Sequence, residues 1–323
     1  MPRSMTVATT SMATLEDYAP PYNLRHPDPD ENLGLGLAML DAAGRQKPDL
    51  AVLPETFMAA GLPSQAIRSV AQPIPGPAFD AVADCARRYA MNVVAGFFLS
   101  EGGRVSNVAV LIDRSGNLAG IYSKTHPTEG EIEGGITPGA GARVFDADFG
   151  RLGLAICFDI NWPSLWSAMK RDRADAVCWI SAYEGGLPLQ AKASLHEMPI
   201  ITSVWPYHAR VIDRTGRILV QTSRWSRVAV QRLSLEKRVF HTDQQAHLLL
   251  PIQVRYGDRV RVESFTEEHI FTIESLSPDL EVEEVIREFG LVEFAAYIQR
   301  CERCQETARH KPSDTASPEL VEA

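Results

Sequence analysis

Three reactive side chains each stand at the end of a short apolar run that is typical of a β-strand. Glu55 follows Leu-Ala-Val-Leu-Pro, Lys124 follows Leu-Ala-Gly-Ile-Tyr-Ser, and Cys157 follows Leu-Gly-Leu-Ala-Ile. In open α/β sheets the ends of strands are where side chains converge on ligands, and the strands hold them rigidly. An acid, a cation and a thiol brought together in this way would form a nucleophilic site.

The chemistry of such a site follows from the thiol. A cysteine with an ordinary pKa of about 8.5 is mostly protonated at neutral pH, so it needs a base or a positive neighbour. Glu55 would be the base, and Lys124 would stabilise the thiolate and an oxyanion, with the Phe158 N–H as a second donor. Three plainer interpretations stay open: Cys157 as an inert core residue, Glu55 as a helix cap, and Lys124 as a solvated turn residue.

The elements that must position these residues alternate along the chain. Helical spacing of apolar residues marks residues 33–43, a stretch that begins at Pro77, and residues 163–171. Strands alternating with helices predict an α/β protein with helices packed on sheets. The predicted strands are 5–12, 50–53, 93–99, 108–113, 118–122, 152–157 and 176–181.

One turn sequence occurs twice. Ile112–Gly116 reads Ile-Asp-Arg-Ser-Gly, and Ile212–Gly216 reads Ile-Asp-Arg-Thr-Gly, each before a short apolar run. Asp and Gly at these positions favour a tight turn between two antiparallel strands. Two equivalent hairpins suggest a fold with internal pseudo-symmetry, although five residues could match by chance.

The pattern changes near residue 255, where charged alternation is followed by the apolar run 271–276 and a predicted helix near 281–309. We therefore expect one main domain over residues 1–254, which carries the three reactive side chains, and an appended segment over 255–310. Residues 311–323 contain Pro and Ser and lack an apolar face, which predicts a disordered tail.

Composition and charge restrict the partners. The formal charge is −9 over 323 residues, and residues 250–323 hold 16 acidic and 8 basic side chains. A near-neutral body with an acidic end has no basic stripe, so we expect no nucleic acid partner. No apolar run approaches the roughly 18 to 20 residues that span a bilayer, and the N-terminus lacks a signal-peptide pattern, so we expect no membrane partner and a cytoplasmic location.

The cysteines indicate free thiols in place of a disulfide framework, because they are five in number and mostly far apart. Cys301 and Cys304 form a Cys-x-x-Cys pair. A structural zinc site normally needs four ligands, and only His310 stands nearby as a further candidate. We interpret the pair as one face of a helix, and we expect neither a metal nor a cofactor.

Three blocks of this sequence resemble the signature blocks of the nitrilase superfamily, the carbon–nitrogen hydrolases. They are Leu53–Phe57 (Leu-Pro-Glu-Thr-Phe), Tyr122–His126 (Tyr-Ser-Lys-Thr-His) and Gly150–Pro163 around Cys157. The resemblance covers roughly residues 5–235. It implies a four-layer αββα sandwich, which commonly dimerises through a helical face, so we expect a homodimer or a higher homo-oligomer.

The same resemblance implies a role for each residue of a Glu-Lys-Cys triad. Cys157 would be the nucleophile, Glu55 the general base and then acid, and Lys124 the oxyanion stabiliser. Family members often carry a second glutamate between the lysine and a Pro-Gly pair. Here the usual spacing falls between Glu131 and Glu133, and we favour Glu131; a solvated acidic loop is the alternative.

The substrate is expected to be a small amide-type molecule. Nitrile-cleaving members typically have Trp-Glu after the cysteine, whereas Phe158 and Asp159 stand there in this chain, which favours amides or N-carbamoyl compounds and the amidase/carbamoylase-like branch. Phe158, Trp162 and Tyr183 are the predicted substrate-binding residues. The alternatives are a nitrilase, a thioester-based acyl transferase, and a non-enzymatic scaffold that uses its acidic C-terminal helix.

Overall fold

The computed structural model describes residues 3–13, 28–62 and 67–310, together with the backbone of two residue pairs, 18–19 and 23–24. The chain divides into two compact units, Arg3–Leu235 and a second one that begins at Glu236. The tail predicted over 311–323 lies outside the described residues. Within the described ranges, no helix has the length and apolar character needed to cross a membrane.

The strands alternate with helices, as the sequence predicts. In chain order they are β1 Ser4–Thr10, β2 Tyr18–Ala19, β3 Asn23–Leu24, β4 Leu50–Val52, β5 Asn92–Glu101, β6 Arg104–Ile112, β7 Leu118–Ser123, β8 Val144–Ala147, β9 Gly150–Ile156, β10 Ala176–Ser181, β11 Ile200–Val204, β12 Arg210–Ile212, β13 Ile218–Gln221, β14 Val228–Ser234, β15 Arg238–His241, β16 Val260–Phe265 and β17 Ile270–Ser275.

The helices in chain order are α1 Pro29–Gly44, α2 Ile67–Val70, α3 Pro77–Tyr89, α4 Glu129–Glu133, α5 Pro163–Arg171, α6 Leu187–His196, α7 Leu249–Tyr256, α8 Val282–Phe289 and α9 Phe294–Arg309. The helices predicted at residues 33–43, from Pro77 and at 163–171 are present as α1, α3 and α5, each with Pro in its first turn.

Two six-stranded sheets form the centre of the first unit. One has the order β14-β1-β4-β5-β6-β7, and the other has the order β13-β12-β11-β10-β9-β8. Their inner faces pack on each other through apolar side chains such as Val7, Val94, Leu154 and Ile180. The outer face of the first sheet packs on α1 and α3, and that of the second packs on α5 and α6. The predicted four-layer αββα sandwich is confirmed.

The two sheets repeat one topology. In the first sheet, β1, β4 and β5 are parallel, β6 and β7 continue antiparallel, and β14 pairs antiparallel with β1. In the second, β9, β10 and β11 are parallel, β12 and β13 continue antiparallel, and β8 pairs antiparallel with β9. The repeated turns join β6 to β7 and β12 to β13. The predicted pseudo-symmetry is therefore present in the strand order.

The second unit begins earlier in the chain than the sequence indicates. The predicted boundary lies after residue 254, whereas the contacts divide the chain between Leu235 and Glu236. The physical reason is that β15 pairs antiparallel with β17, and Phe240 of β15 stacks on Phe271 of β17 in the core of this unit. Residues 236–254 therefore belong with the C-terminal segment.

The long C-terminal helix predicted over 281–309 is two helices. Gly290 follows α8 with φ of +63°, in the left-handed region that glycine enters without steric cost. Leu291 then turns into the apolar core of the unit, and α9 begins at Phe294. An amphipathic pattern that continues across a glycine thus concealed the end of the first helix.

Candidate active site

Glu55 stands three residues beyond the end of β4, a central strand of the first sheet. Its backbone is held in a tight turn, because Thr56 has φ of +37°, in the left-handed region. The indole nitrogen of Trp205 donates to the Glu55 carbonyl oxygen at 2.7 Å. The N–H of Ala182 donates to the carboxylate Oε2 at 2.9 Å. These bonds fix a carboxylate that is almost entirely buried.

Lys124 follows β7 and is the central cation of the site. Its Nζ lies 2.8 Å from Oε1 of Glu55, and 3.0 and 2.7 Å from Oε1 and Oε2 of Glu131. The side chain is 1% exposed. One buried ammonium therefore serves two carboxylates, which is the geometry in which a buried charge is tolerated.

Cys157 stands at the end of β9, where the chain turns into a single 3₁₀ segment over Cys157–Asn161. Its φ of +47° is left-handed, a conformation that costs about 1–3 kcal/mol for a residue other than glycine. Neighbouring bonds hold it there, among them one from the indole nitrogen of Trp179 to the Cys157 carbonyl oxygen at 3.0 Å. Such strain is typical of side chains that a turn presents to a site.

Asp159 ties the cysteine turn to the lysine strand. This fully buried carboxylate accepts from the N–H of Ile156 at 2.9 Å, the hydroxyl of Tyr122 at 2.7 Å and the N–H of His126 at 3.0 Å. The two ends that carry Cys157 and Lys124 are thereby joined across the sheets. His126 is a structural partner here: its Nδ1 lies 2.9 Å from Asp159, and its ring stacks on Trp162.

Glu131 reaches the site from the short helix α4, which stands where a solvated acidic loop was the alternative interpretation. The helix begins with a capping box: the Glu131 N–H donates to Thr128 Oγ1 at 3.3 Å, and the Thr128 N–H donates to Glu131 Oε2 at 2.7 Å. The Thr-x-x-Glu spacing is the known signature of this cap, so the sequence carried the signal. Glu133 is exposed.

Asn107 is a site residue that sequence reasoning missed. It lies on β6 and is 1% exposed, and its Nδ2 donates to Oε1 of Glu55 at 2.7 Å and to Oε1 of Glu131 at 2.8 Å. Its backbone carbonyl oxygen accepts a hydrogen bond from the backbone N–H of Lys124 at 2.8 Å. The available signal was a polar amide within an otherwise apolar, buried strand, because a buried amide must find hydrogen-bond partners.

The electrostatics of the site follow from this packing. Burial would lower the pKa of Lys124, but the charges of Glu55, Cys157 and Glu131 outweigh it, so the pKa is raised and the ammonium persists. Burial would raise the pKa of Glu131, but Lys124 and its hydrogen-bond donors lower it overall. Burial and the Glu55 carboxylate raise the pKa of the Cys157 thiol, with Lys124 acting in the opposite direction.

A cavity of about 220 Å³ brings these groups to one place. Glu55, Lys124, Glu131 and Cys157 line one part of it. A second part is apolar. The lining residues are Glu55, Thr56, Ala59, Leu62, Ile67, Phe98, Asn107, Lys124, Thr128, Glu131, Cys157, Ala182 and Trp205.

The three predicted substrate-binding aromatics hold different positions. Burial, with the charges of Cys157 and Glu55 in addition, raises the pKa of Tyr183 to about 12, so this ring lies near the reactive groups. Within the part of the chain that the structure describes, the lining does not include Phe158, Trp162 or Tyr183. Phe158 is 36% exposed and packs edge-on against Trp162, and Tyr183 packs edge-on against Trp179. The structure holds these three side chains outside the described cavity wall, and their contact with substrate stays a prediction.

The Cys-x-x-Cys pair belongs to α9 in the second unit. Cys301 is partly exposed and Cys304 is exposed. The described residues contain no group of three or more histidine, cysteine or carboxylate side chains placed to hold a metal ion.

Curated relatives of this chain include amidases and hydrolases. The deaminated glutathione amidase of Synechocystis sp. is 28% identical over 258 residues, which is 66% of this chain and 94% of that protein. The probable hydrolase YhcX of Bacillus subtilis is 33% identical over 135 residues, which is 39% of this chain and 26% of that protein. The second match thus spans about a quarter of its relative.

Solved structures show the same fold. Nit3 of Saccharomyces cerevisiae, a member of branch 10 of the nitrilase superfamily, aligns with a TM-score of 0.62 at 18% identity, over 79% of this chain and 97% of Nit3. An amidase of the nitrilase superfamily from Nesterenkonia AN1 aligns with a TM-score of 0.61 at 20% identity, over 72% and 91%. The sequence pattern of the carbon–nitrogen hydrolase family matches residues 17–238, well over half of the chain. This chain therefore belongs to the carbon–nitrogen hydrolase family.

Proposed function

We propose that this protein hydrolyses a non-peptide carbon–nitrogen bond of the amide or N-carbamoyl type through a thioester on Cys157. The observation that carries the proposal is the shared cavity, in which a thiol, a buried carboxylate and a buried ammonium all form part of the wall. A nucleophile, a base within reach and an oxyanion stabiliser are the parts that acyl transfer requires.

In the first half of the reaction, Glu55 takes the proton of the Cys157 thiol while the sulfur attacks the carbonyl carbon. The carbon–sulfur bond forms, and the carbonyl electron pair moves to oxygen, where Lys124 and the N–H of Phe158 stabilise the charge. When the tetrahedral intermediate collapses, the carbon–nitrogen bond breaks. Glu55 returns its proton to the departing nitrogen, which leaves as ammonia or an amine.

In the second half, Glu55 takes a proton from water as the water oxygen attacks the thioester carbon. The carbon–sulfur bond then breaks, and the proton returns to sulfur, which releases the acid. Glu131 orients Lys124 and contributes to the position of substrate or water, since its carboxylate contacts both Lys124 and Asn107 at the cavity wall. The proton transfers in both halves of this reaction use only these side chains and water.

Ammonia release from simple amides, N-carbamoyl amino acids and nitriles tests the proposal. We expect release by the wild type and at least a 10³-fold lower rate for Cys157→Ala, because the nucleophile is removed. Cys85→Ala is the matched control: this thiol is buried in α3 and does not line the described cavity, so its removal should leave turnover unchanged. Folded wild-type protein without activity on the panel, or equal activity of Cys157→Ala, would contradict the proposal.

A further inference from the structure

Several residues that line the cavity are apolar and pack in one cluster. They are Ala59, Leu62, Ile67 and Phe98. In this cluster, Phe98 is 7% exposed and Ile67 is 9% exposed. A wall of this kind favours a substrate group that loses hydrocarbon surface to it, because burying apolar surface is favourable in proportion to its area.

Phe98 faces the cavity because of strand alternation on β5. Its neighbour Phe97 points to the opposite face, where it is 3% exposed and packs against Phe57 at a centroid distance of 5.6 Å. Successive side chains of a strand point to opposite faces of the sheet. A substitution at Phe98 therefore alters the cavity wall, and the same substitution at Phe97 alters the strand without altering the wall.

In the part of the cavity wall that the structure describes, the charged side chains leave no cation for an anionic substrate. Among the described residues of the lining, Lys124 alone is cationic, and its Nζ contacts both Glu55 and Glu131 within 3.0 Å. Two carboxylates against one ammonium make the wall net negative. An acyl group that ended in a carboxylate would lose water, meet no partner and be repelled by like charges.

The volume restricts the size of the acyl group. Pockets for drug-sized ligands are roughly 300–1,000 Å³, and this cavity of about 220 Å³ must also hold the reacting carbonyl group. Resting on the hydrolase function proposed above, we propose that the preferred substrate is a primary amide with a short, uncharged aliphatic acyl chain. The chain lies against Leu62, Ile67 and Phe98.

The experiment compares kcat/KM of the full-length wild type for acetamide, propionamide, butyramide and valeramide, and for succinamate and glutaramate. Succinamate is butyramide with a carboxylate in place of the terminal methyl group, and glutaramate stands in the same relation to valeramide. We expect a rise of roughly 4- to 10-fold for each methylene until the wall is covered. We expect each anionic amide to fall at least about 100-fold below its neutral counterpart, the cost of an unpaired charge.

Two single substitutions locate the specificity. Phe98→Leu should move the best chain length upward, so that the valeramide to propionamide ratio of kcat/KM rises several-fold. Phe97→Leu is the matched control, with the same change on the other face of β5, and should leave that ratio unchanged. Because ratios between substrates are compared within one protein, partial loss of folded protein does not affect the result.

The outcomes separate the two proposals. Cysteine-dependent hydrolysis in which succinamate or an N-carbamoyl amino acid matches or exceeds butyramide would overturn the acyl-group inference and leave the hydrolase function standing. A ratio that changes equally in both phenylalanine variants would also overturn it. Absence of cysteine-dependent hydrolysis across all classes would overturn the hydrolase proposal, and the inference with it.

Discussion

The side-chain amide of Asn107 donates a 2.7 Å hydrogen bond to Oε1 of Glu55, the oxygen that also faces Lys124. The same nitrogen donates to Glu131 at 2.8 Å, so one amide and one ammonium lie between two carboxylates. A neutral donor in this place reduces the repulsion between the carboxylates without adding charge. Asn107 therefore positions the Glu55 carboxylate, the base in the proposed reaction.

Replacing this amide by a carboxyl group of the same shape should disable the site in a pH-dependent manner. In Asn107→Asp, a third carboxyl group would face Glu55 and Glu131, and like charges at this range raise pKa values. We expect kcat/KM to fall about 100-fold near pH 8, the scale of losing one preorganised donor. Activity should recover partly toward pH 6, where a protonated Asp donates again. The pH–rate profile checks this.

Asn107→Leu is the control for this substitution, because it removes the donors without adding a charge. Its activity should be low at every pH, with a profile parallel to that of the wild type. If Asn107→Asp also gave a profile parallel to the wild type, the amide would act through packing alone.

Glu55→Gln should change the two reactions of Cys157 in opposite directions. Burial and, after it, the Glu55 carboxylate raise the pKa of the thiol, so the thiol stays protonated to higher pH. Removing that charge lowers the pKa, and each unit of decrease gives about 10-fold more thiolate at a fixed pH. Alkylation of Cys157 by iodoacetamide at pH 7–8 should therefore accelerate, while amide hydrolysis falls by about 10²–10⁴-fold without its acid and base.

Mass spectrometry of the Cys157 peptide over time measures the alkylation rate, and ammonia release measures hydrolysis. Glu133→Gln, on an exposed residue of α4, should change neither rate. A parallel loss of both reactions in Glu55→Gln would show that Glu55 holds the cysteine in place and does not set its charge.

The sequence predicts the ends of the strands well, and Glu55, Lys124 and Cys157 lie at or just beyond those ends. An apolar run that stops at a charged or reactive residue leaves few alternatives for where the strand ends, so local pattern predicts where these three residues lie, whereas their roles come from the family resemblance. The partners of these residues are different. Asn107 meets Glu55 across 52 positions of sequence, and no local pattern encodes such a contact.

The residues that line the cavity are likewise not predictable from local sequence. Phe158 and Trp162 are predicted to bind substrate, and this stays a prediction, since the described lining of the cavity does not include them. The apolar wall comes instead from Leu62, Ile67 and Phe98, which precede Cys157 by many residues. Tertiary packing, which local spacing does not specify, decides which side chains line the site.

Glu131 and Glu133 should differ in how they affect stability at different pH values. The pKa of Glu131 is lowered in the folded protein, so its charged form stabilises the fold above the ordinary glutamate pKa of about 4.3, and this contribution is lost as the pH falls through the lower folded value. Glu131→Gln should lower the free energy of unfolding by about 1.5–3 kcal/mol at pH 7, the range for hydrogen bonds to charged groups.

Urea unfolding of the wild type, Glu131→Gln and Glu133→Gln at pH 7 and at pH 4 or below measures the difference. We expect the deficit of Glu131→Gln to shrink at the lower pH and Glu133→Gln to match the wild type at both. A deficit that stays constant with pH would mean that the charge of Glu131 contributes nothing and that only its shape matters.

Gly96 sets how closely β5 can approach the turn that carries Glu55. A methyl group at Gly96 would come within 2.4 Å of the Thr56 nitrogen and 2.6 Å of the Pro54 oxygen, and these are backbone atoms that cannot rotate away. In Gly96→Ala the turn must shift, and Glu55 must move with it relative to Cys157. Since a displacement of about 1 Å at a catalytic group can cost 10²-fold in rate, we expect kcat to fall by about that factor.

Gly34→Ala in α1 is the control: nothing lies within 4 Å of the added methyl group, so it should stabilise the helix by about 0.5–1 kcal/mol and leave kcat unchanged. Measuring kcat together with the urea midpoint separates a displaced base from a weakened fold, and a Gly96→Ala protein with wild-type kcat would show that the turn can relax without moving the carboxylate.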